Sequence, residues 1–385
     1  MDDRLQHEQS LLRNPVNQES IRALVDWHLE RDNLVLARQY LHLLAGLCKT
    51  DAMVWLSLAV TCALGGEVEE GYRALSETIR LSLSMLENPE MHEGIKFCQA
   101  LLFECRGNTA EALKMLYRSV ELCDSKLEVQ QIAHEAAASQ GNFVKENEAF
   151  QCITALKERR MEALLKAALI KKDTGEFSDA LALVDLISNE SAPPPSVKLV
   201  AQILCLRGSI FVERKYNQHA EEMYKQALLL YPGFPIANRN LGCIYLRYRE
   251  CVPSAVICFT RALEYNPFHH TSWYLLGRCY VAASQFVDAF NAYNQAIGIE
   301  PNDAAVWCSL GILYYSHGQN EEAESCTRRA VRLEPHMAEA WYNLGVLCEA
   351  AKNSREALLC YNKAKARGFR DALKSVGLTL VDVDL

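Results

Sequence analysis

The chain has 385 residues, half of them apolar, a net charge of −8 and an isoelectric point of about 5.8. That balance excludes a basic field able to hold DNA or RNA by counterion release, and no apolar run approaches the ~18 residues of a membrane span. The first ten residues, MDDRLQHEQS, lack the apolar core of a signal peptide, so the expectation is a soluble intracellular protein, nuclear or cytoplasmic, without direct nucleic-acid or membrane contact.

In chain order, the N-terminal half carries glycines Gly66, Gly107, Gly141 and Gly175, the last three evenly spaced. Alanines follow at a fixed offset, as Ala112 and Ala180 do, and Asp32 with Ala37 gives the same pair one period earlier. The spacing predicts helix hairpins at 18–51, 52–85, 93–126, 127–160 and 161–194. Two spacers interrupt the period. Glu87–Gly94 contains Pro89, and Ser188–Ser196 contains Pro193, Pro194 and Pro195, which cannot continue a helix. The second spacer is either a longer inter-repeat loop or a bend between two halves.

From Leu241 to Ala364 one pattern is written four times. Gly242, Gly277, Gly311 and Gly345 recur at a nearly constant interval, and Trp273, Trp307 and Trp341 stand one helical turn before the last three. Alanines follow at Ala255, Ala289, Ala323 and Ala357, then at Ala262, Ala296, Ala330 and Ala364; proline closes three copies at Pro267, Pro301 and Pro335. Small residues let two antiparallel helices approach, large apolar ones fill the space around the crossing, and proline stops the second helix for want of an amide hydrogen. A period of about 34 with this content is identified with the tetratricopeptide (TPR) repeat, which implies an all-α TPR solenoid, a right-handed superhelix of helix-turn-helix units. Five repeats are expected at 201–234, 235–269, 270–303, 304–337 and 338–371. The expected division is therefore 1–187, five divergent hairpins; 188–200, a spacer; 201–371, the regular array; and 372–385, a tail.

Two irregularities remain. The seventh hairpin carries an extra residue in RYRECVP, where Arg247 and Arg249 fit a solvated turn. The tail alternates at Leu378, Leu380, Val383 and Leu385, as an extended strand would, though a frayed end is the expectation.

The search for chemistry yields little. Fifteen cysteines form no CxxC pair and many sit in the helical pattern, so reduced thiols in helix packing are expected rather than zinc or disulfides. No HExxH, GxSxG or Walker loop occurs, and His269 and His270 sit at an inter-repeat corner without a third ligand. The expectation is a non-enzymatic protein with no cofactor and no metal.

Protein binding is then the expected activity. In TPR proteins the first helix of each repeat lines a concave groove, and the inner positions of that helix place Arg239, Tyr274, Arg278, Ile312, Tyr315 and Tyr342 there. Tyrosine and arginine combine contact area with directional hydrogen bonds, although any of these residues can instead pack between helices. The lysine and asparagine clamp of chaperone-binding TPR proteins is missing, and the asparagine ladder of O-linked N-acetylglucosamine transferases is broken, with Leu275 and Ser309 between Asn240 and Asn343.

The consecutive segments WYLLGR, WCSLGILYY and WYNLGVL resemble the fungal general transcriptional corepressor and the TPR region of UTX-type histone demethylases, over about 235–366. The resemblance implies a nuclear scaffold whose partners are WD40-type corepressor subunits and transcription regulators. The alternative is a structural TPR subunit of a cyclosome-type ubiquitin ligase or of a transport complex.

Overall fold

The computed structural model describes residues 3–31, 33–84, 91–140, 142–188, 196–247 and 251–368, and every regular element among them is a helix. The fold is an all-α solenoid of antiparallel hairpins, in two compact units, 1–234 and 235–385.

The first unit opens with α1 (Asp3–Arg13), which sequence spacing did not foresee, followed by α2 (Gln18–Glu30) and α3 (Leu34–Leu47). Next come α4 (Ala52–Leu64), α5 (Val68–Ser84), α6 (His92–Cys105) and two helices of 31 residues, α7 (Thr109–Ser139) and α8 (Phe143–Asp173). The unit closes with α9 (Phe177–Ser188), α10 (Val197–Glu213) and α11 (Asn217–Leu230). Side chains of Asn17, Asn33, Asp51, Asn108, Asn142 and Ser196 accept from amides one turn in and fix where helices begin. Each such cap contributes about 1 kcal/mol.

The long helices correct the expected hairpin at 127–160. Turns were expected near 126/127 and 160/161, but α7 and α8 run straight through both. The first segment, ELCDSKLE, has no proline or glycine, and its two capping residues are diverted. The Asp124 carboxylate accepts from Arg160 Nε at 2.6 Å, and the Ser125 hydroxyl donates to the Glu121 carbonyl at 2.9 Å. The second, LKERRMEA, consists largely of good helix formers. With nothing to stop it, a helix propagates.

Nor does packing divide at the spacer expected at 188–200. Leu164 of α8, Val184 and Ile187 of α9, and Leu199, Ile203 and Leu206 of α10 form one buried cluster. The triple proline itself, Gly141, Pro89, Arg249 and the alternating tail from Leu378 to Leu385 lie outside the described residues.

The second unit is regular: α12 (Pro235–Arg247), α13 (Val252–Tyr265), α14 (His270–Ala282), α15 (Phe286–Ile299), α16 (Ala304–Ser316), α17 (Asn320–Leu333), α18 (Ala338–Ala350) and α19 (Ser354–Ala366). Here α13, α15 and α17 stop at the residue or two before Pro267, Pro301 and Pro335. Trp273, Trp307 and Trp341 each donate their indole N–H to the carbonyl of that proline, at 2.8, 2.8 and 2.9 Å, pinning the joint between hairpins. Within hairpins the turn needs one left-handed residue: Gly318 takes it at φ 76°, but Ser284 and Lys352 do so at 58° and 62°.

The helix crossings are tight for a reason that spacing alone did not supply. A Cβ on Gly277 or Gly345 would stand 2.5 Å from the ring of Tyr293 or Tyr361, and one on Gly242 would stand 2.9 Å from Phe259. The second helix thus lays a ring on the glycine of the first. In α16/α17 a buried threonine replaces the ring, and Thr327 Oγ1 would meet the Gly311 Cβ at 2.5 Å.

Candidate functional site

In the second unit the first helices of successive hairpins are stitched side by side. Arg239 on α12 reaches His269 Nε2 at 2.8 Å; the Ser309 hydroxyl donates to the Tyr274 hydroxyl at 3.4 Å; the Asn343 amide donates to Cys308 Sγ at 3.2 Å. These bonds join α12 to the start of α14, α14 to α16, and α16 to α18.

Of the six residues expected on this face, four are partly exposed: Arg239, Arg278, Ile312 and Tyr315. The two others are not surface anchors. Tyr274 is 2 % exposed and Tyr342 4 %, because each ring packs against the ring on its partner helix, Tyr274 on Tyr293 at 6.0 Å and Tyr342 on Tyr361 at 5.7 Å. Their work is in the hairpin core. The arginines do converge: Arg239, Arg247 and Arg278 all act electrostatically on the Cys243 thiol, drawing it down, while burial, the larger effect, pushes it up. The face is therefore basic at its α12–α14 end and apolar further along, at Ile312 and Tyr315.

His269 is not the exposed corner residue that its neighbourhood in sequence suggests. It occupies the N-cap of α14, with Nδ1 3.2 Å from the Ser272 amide and 3.0 Å from its hydroxyl. Arginine can only donate, so Nε2 accepts from Arg239; the neutral ring then carries its proton on Nδ1, which donates to the Ser272 hydroxyl. Burial, then Arg239 and His270, lower its pKa to about 4. One repeat later Asp303 fills the same place, and its carboxylate accepts from the amides of Ala305 and Val306.

The first unit holds a concavity of about 490 Å³ that the sequence reading missed. Its walls include Leu29, Met53, Leu56, Val60 and Phe97, and its floor carries Glu93, Arg159 and Glu162. The Glu93 side chain is 2 % exposed and accepts from Lys126 Nζ at 2.5 Å and Arg159 at 2.7 Å, while its backbone carbonyl accepts from Ser119 at 2.9 Å. Glu162 is open to water by area, yet the surrounding walls crowd it. Burial raises its pKa, Glu158 adds to the rise, and Arg159 and Lys198 oppose it. A signal did exist in the sequence, since Glu93, Lys126 and Arg159 are evenly spaced at close to one repeat period.

Among the described residues no group of three or more His, Cys, Asp or Glu side chains could hold a metal, and no helix is long and apolar enough to cross a membrane. All fifteen cysteines are thiols rather than disulfides. Most of the buried ones are pushed up by loss of hydration, Cys62, Cys98, Cys279 and Cys348 to about 12, so they are poor nucleophiles.

Comparison with known proteins bears on the repeats. Residues 201–234 and 308–372 match models described as tetratricopeptide repeat, and residues 277–318 match one described as TPR repeat. No curated protein sequence matches the chain. Among solved structures, PilW, titled a widely conserved type IV pilus biogenesis factor, aligns at 18% identity over 54% of this chain and 93% of its own, with a TM-score of 0.48. YrrB, titled a TPR protein with an unusual peptide-binding site, aligns at 24% identity over 44% and 87%, TM-score 0.38. A MamA fragment from Desulfovibrio magneticus RS-1 aligns at 19% over 46% and 97%, TM-score 0.40. The chain contains tetratricopeptide repeats, at residues 201–234 and 277–372.

Proposed function

We propose that the chain is a protein-interaction scaffold whose second unit binds an acidic, partly apolar peptide segment on the face carrying Arg239, Arg278, Ile312 and Tyr315. The observation that supports this is the convergence of Arg239, Arg247 and Arg278 around Cys243, on helices whose own bonding holds them side by side. Arginines grip carboxylates through paired, directional bonds, and the apolar end of the face accommodates the rest of the segment. The context is transcriptional corepression, with WD40-type corepressor subunits and transcription regulators as partners. The WYLLGR, WCSLGILYY and WYNLGVL segments support that context.

Affinity purification of the full chain from cell extract, with proteins identified by mass spectrometry, tests both parts. Corepressor subunits and chromatin factors support the context, whereas ubiquitin-ligase or transport subunits replace it. An Arg239→Glu, Arg278→Glu double variant that keeps its helicity should recover those partners at least tenfold less well, about 1.4 kcal/mol or more. Undiminished recovery would remove the face from the mechanism.

A further inference from the structure

A second surface of the same unit has the opposite character. The first turns of α15 and the end of α16 enclose a cleft of about 370 Å³ lined by Phe286, Val287, Phe290, Leu313, Tyr314 and His317. Its rings are set edge to face: Phe286 and His317 lie 4.6 Å apart at 79°, and Phe290 and Tyr314 lie 5.6 Å apart at 76°. Phe286 is 37 % exposed and Val287 76 %, so the cleft holds apolar surface in contact with water at the start of a helix. His317 Nδ1 lies 2.9 Å from the Leu313 carbonyl and so carries the proton, which fixes the plane of the ring.

Charge in the stretch of sequence that forms this cleft is of one sign. Between Arg278 and Arg328 the sequence has no lysine or arginine and six carboxylates: Asp288, Glu300, Asp303, Glu321, Glu322 and Glu324. Three of these have work within the fold. Glu300 accepts from the Asn302 amide, Asp303 caps α16, and Glu324 pairs with Arg328. The remaining three flank the cleft in sequence: Asp288 two residues after Phe286, and Glu321 and Glu322 at the start of α17, just after the turn that carries His317. Glu322 is close enough to the Tyr314 hydroxyl to help raise its pKa, after burial and Cys326.

We propose that this cleft is a docking site for an arginine-bearing segment of a partner protein, the guanidinium lying against the rings and the carboxylates of Asp288, Glu321 and Glu322 meeting its charge. Aromatic faces carry negative potential and attract cations, and a guanidinium both stacks on a ring and bonds to a carboxylate. Its methylene stem covers Val287 and Leu313, as long basic side chains cover apolar surface elsewhere. An acidic segment is repelled here and a purely apolar one leaves the carboxylates unmet, so the chemistry selects a basic partner. The site rests on the scaffold reading only in that its occupant is a protein. It is separate in charge from the face at Arg239 and Arg278.

The test uses the full chain and fluorescence anisotropy of an end-labelled Gly/Ser peptide carrying Arg-Leu-Arg, with Lys-Leu-Lys and Glu-Leu-Glu versions as comparisons. The arginine peptide should bind at least tenfold tighter than the glutamate one, and tighter than the lysine one. Phe286→Leu, which keeps apolar volume but removes the ring, should weaken binding about tenfold. Glu321→Gln with Glu322→Gln, both exposed, should do the same and flatten the salt dependence. The proposal fails if the arginine peptide does not saturate by about 1 mM, if the glutamate peptide binds equally well, or if both variants bind as the wild type does. The Arg239→Glu, Arg278→Glu variant should leave arginine-peptide binding unchanged, which separates failure of this site from failure of the basic face.

Discussion

The two units solve the same problem, stopping a helix at the end of each arm of a hairpin, in different ways. In 235–385 proline ends α13, α15 and α17, and a tryptophan indole locks each of those joints to the proline's carbonyl. In 1–234 no proline or glycine stands near 126/127 or 160/161, so α7 and α8 run on for 31 residues each, about 46 Å, and are held to each other by charge and an apolar seam instead. That seam buries Leu127, Ile153 and Leu156 as one cluster, and Ala112, Leu116, Ala163, Ala167 and Ile170 in another. The lesson is that a repeat's period survives the loss of its turn, because side chains one period apart still meet across paired long helices. Glu93, Lys126 and Arg159 show this directly.

The sharpest way to break the first unit is therefore through that ionic cluster. Lys126→Ala with Arg159→Ala leaves the Glu93 carboxylate buried without a cation, and uncompensated buried charge costs about 3–5 kcal/mol. Urea unfolding at neutral pH should show the loss, and an unchanged midpoint would mean that the cluster does not hold the unit together. In the second unit the corresponding weak point is the crossing. Gly277→Ala drives a Cβ to 2.5 Å from the Tyr293 ring and should cost about 1–3 kcal/mol. Gly298→Ala, where a Cβ meets nothing within 4 Å, should instead be stabilising. Thermal unfolding of the pair distinguishes a packing effect from a general sensitivity of glycine positions.

The caps allow a finer comparison. His269, Asp303 and Met337 hold the same N-cap position in successive repeats, and only Met337 has no side-chain bond. Met337→Asp should gain about 1 kcal/mol, read as a rise in the urea midpoint. His269 adds a pH dependence. Its folded pKa, about 4, lies below the ordinary 6.5, so between those values the unfolded chain binds more protons. The stability it supports is present above pH 6.5 and is lost as pH falls toward 4. His269→Asn, which keeps a cap and removes the titration, should flatten that part of the pH profile. The smallest effect belongs to the turns: Ser284→Gly relieves a left-handed backbone at φ 58° and should gain about 1 kcal/mol or less.

Much of the fold was legible in the sequence wherever one residue type has one physical job. Proline ends helices, and the glycines at the crossings admit no side chain; the glycines recur in all four copies and the prolines in three, each where expected. What escaped was pairwise. Tyr274 and Tyr342 read as groove anchors because their positions face inward, but each has a ring on the second helix, Tyr293 or Tyr361, that takes it into the core. Where the pair becomes Cys308 and Thr327, both members shrink together. Asp124 and Ser125 look like a helix start and are diverted by Arg160 and Glu121, partners that no local pattern reveals.

The indole bonds at the joints have an optical consequence. The chain has five tryptophans, and Trp273, Trp307 and Trp341 each sit at one joint of the second unit, with the emitting ring tied to the backbone there. Trp55 makes the like bond to the Lys49 carbonyl in the first unit, at 3.2 Å. Loosening of a joint would hydrate its own indole and shift its emission to the red. Chains keeping one of these tryptophans at a time, with phenylalanine at the others, would then report which joint opens first under force, heat or a bound partner, without any added label.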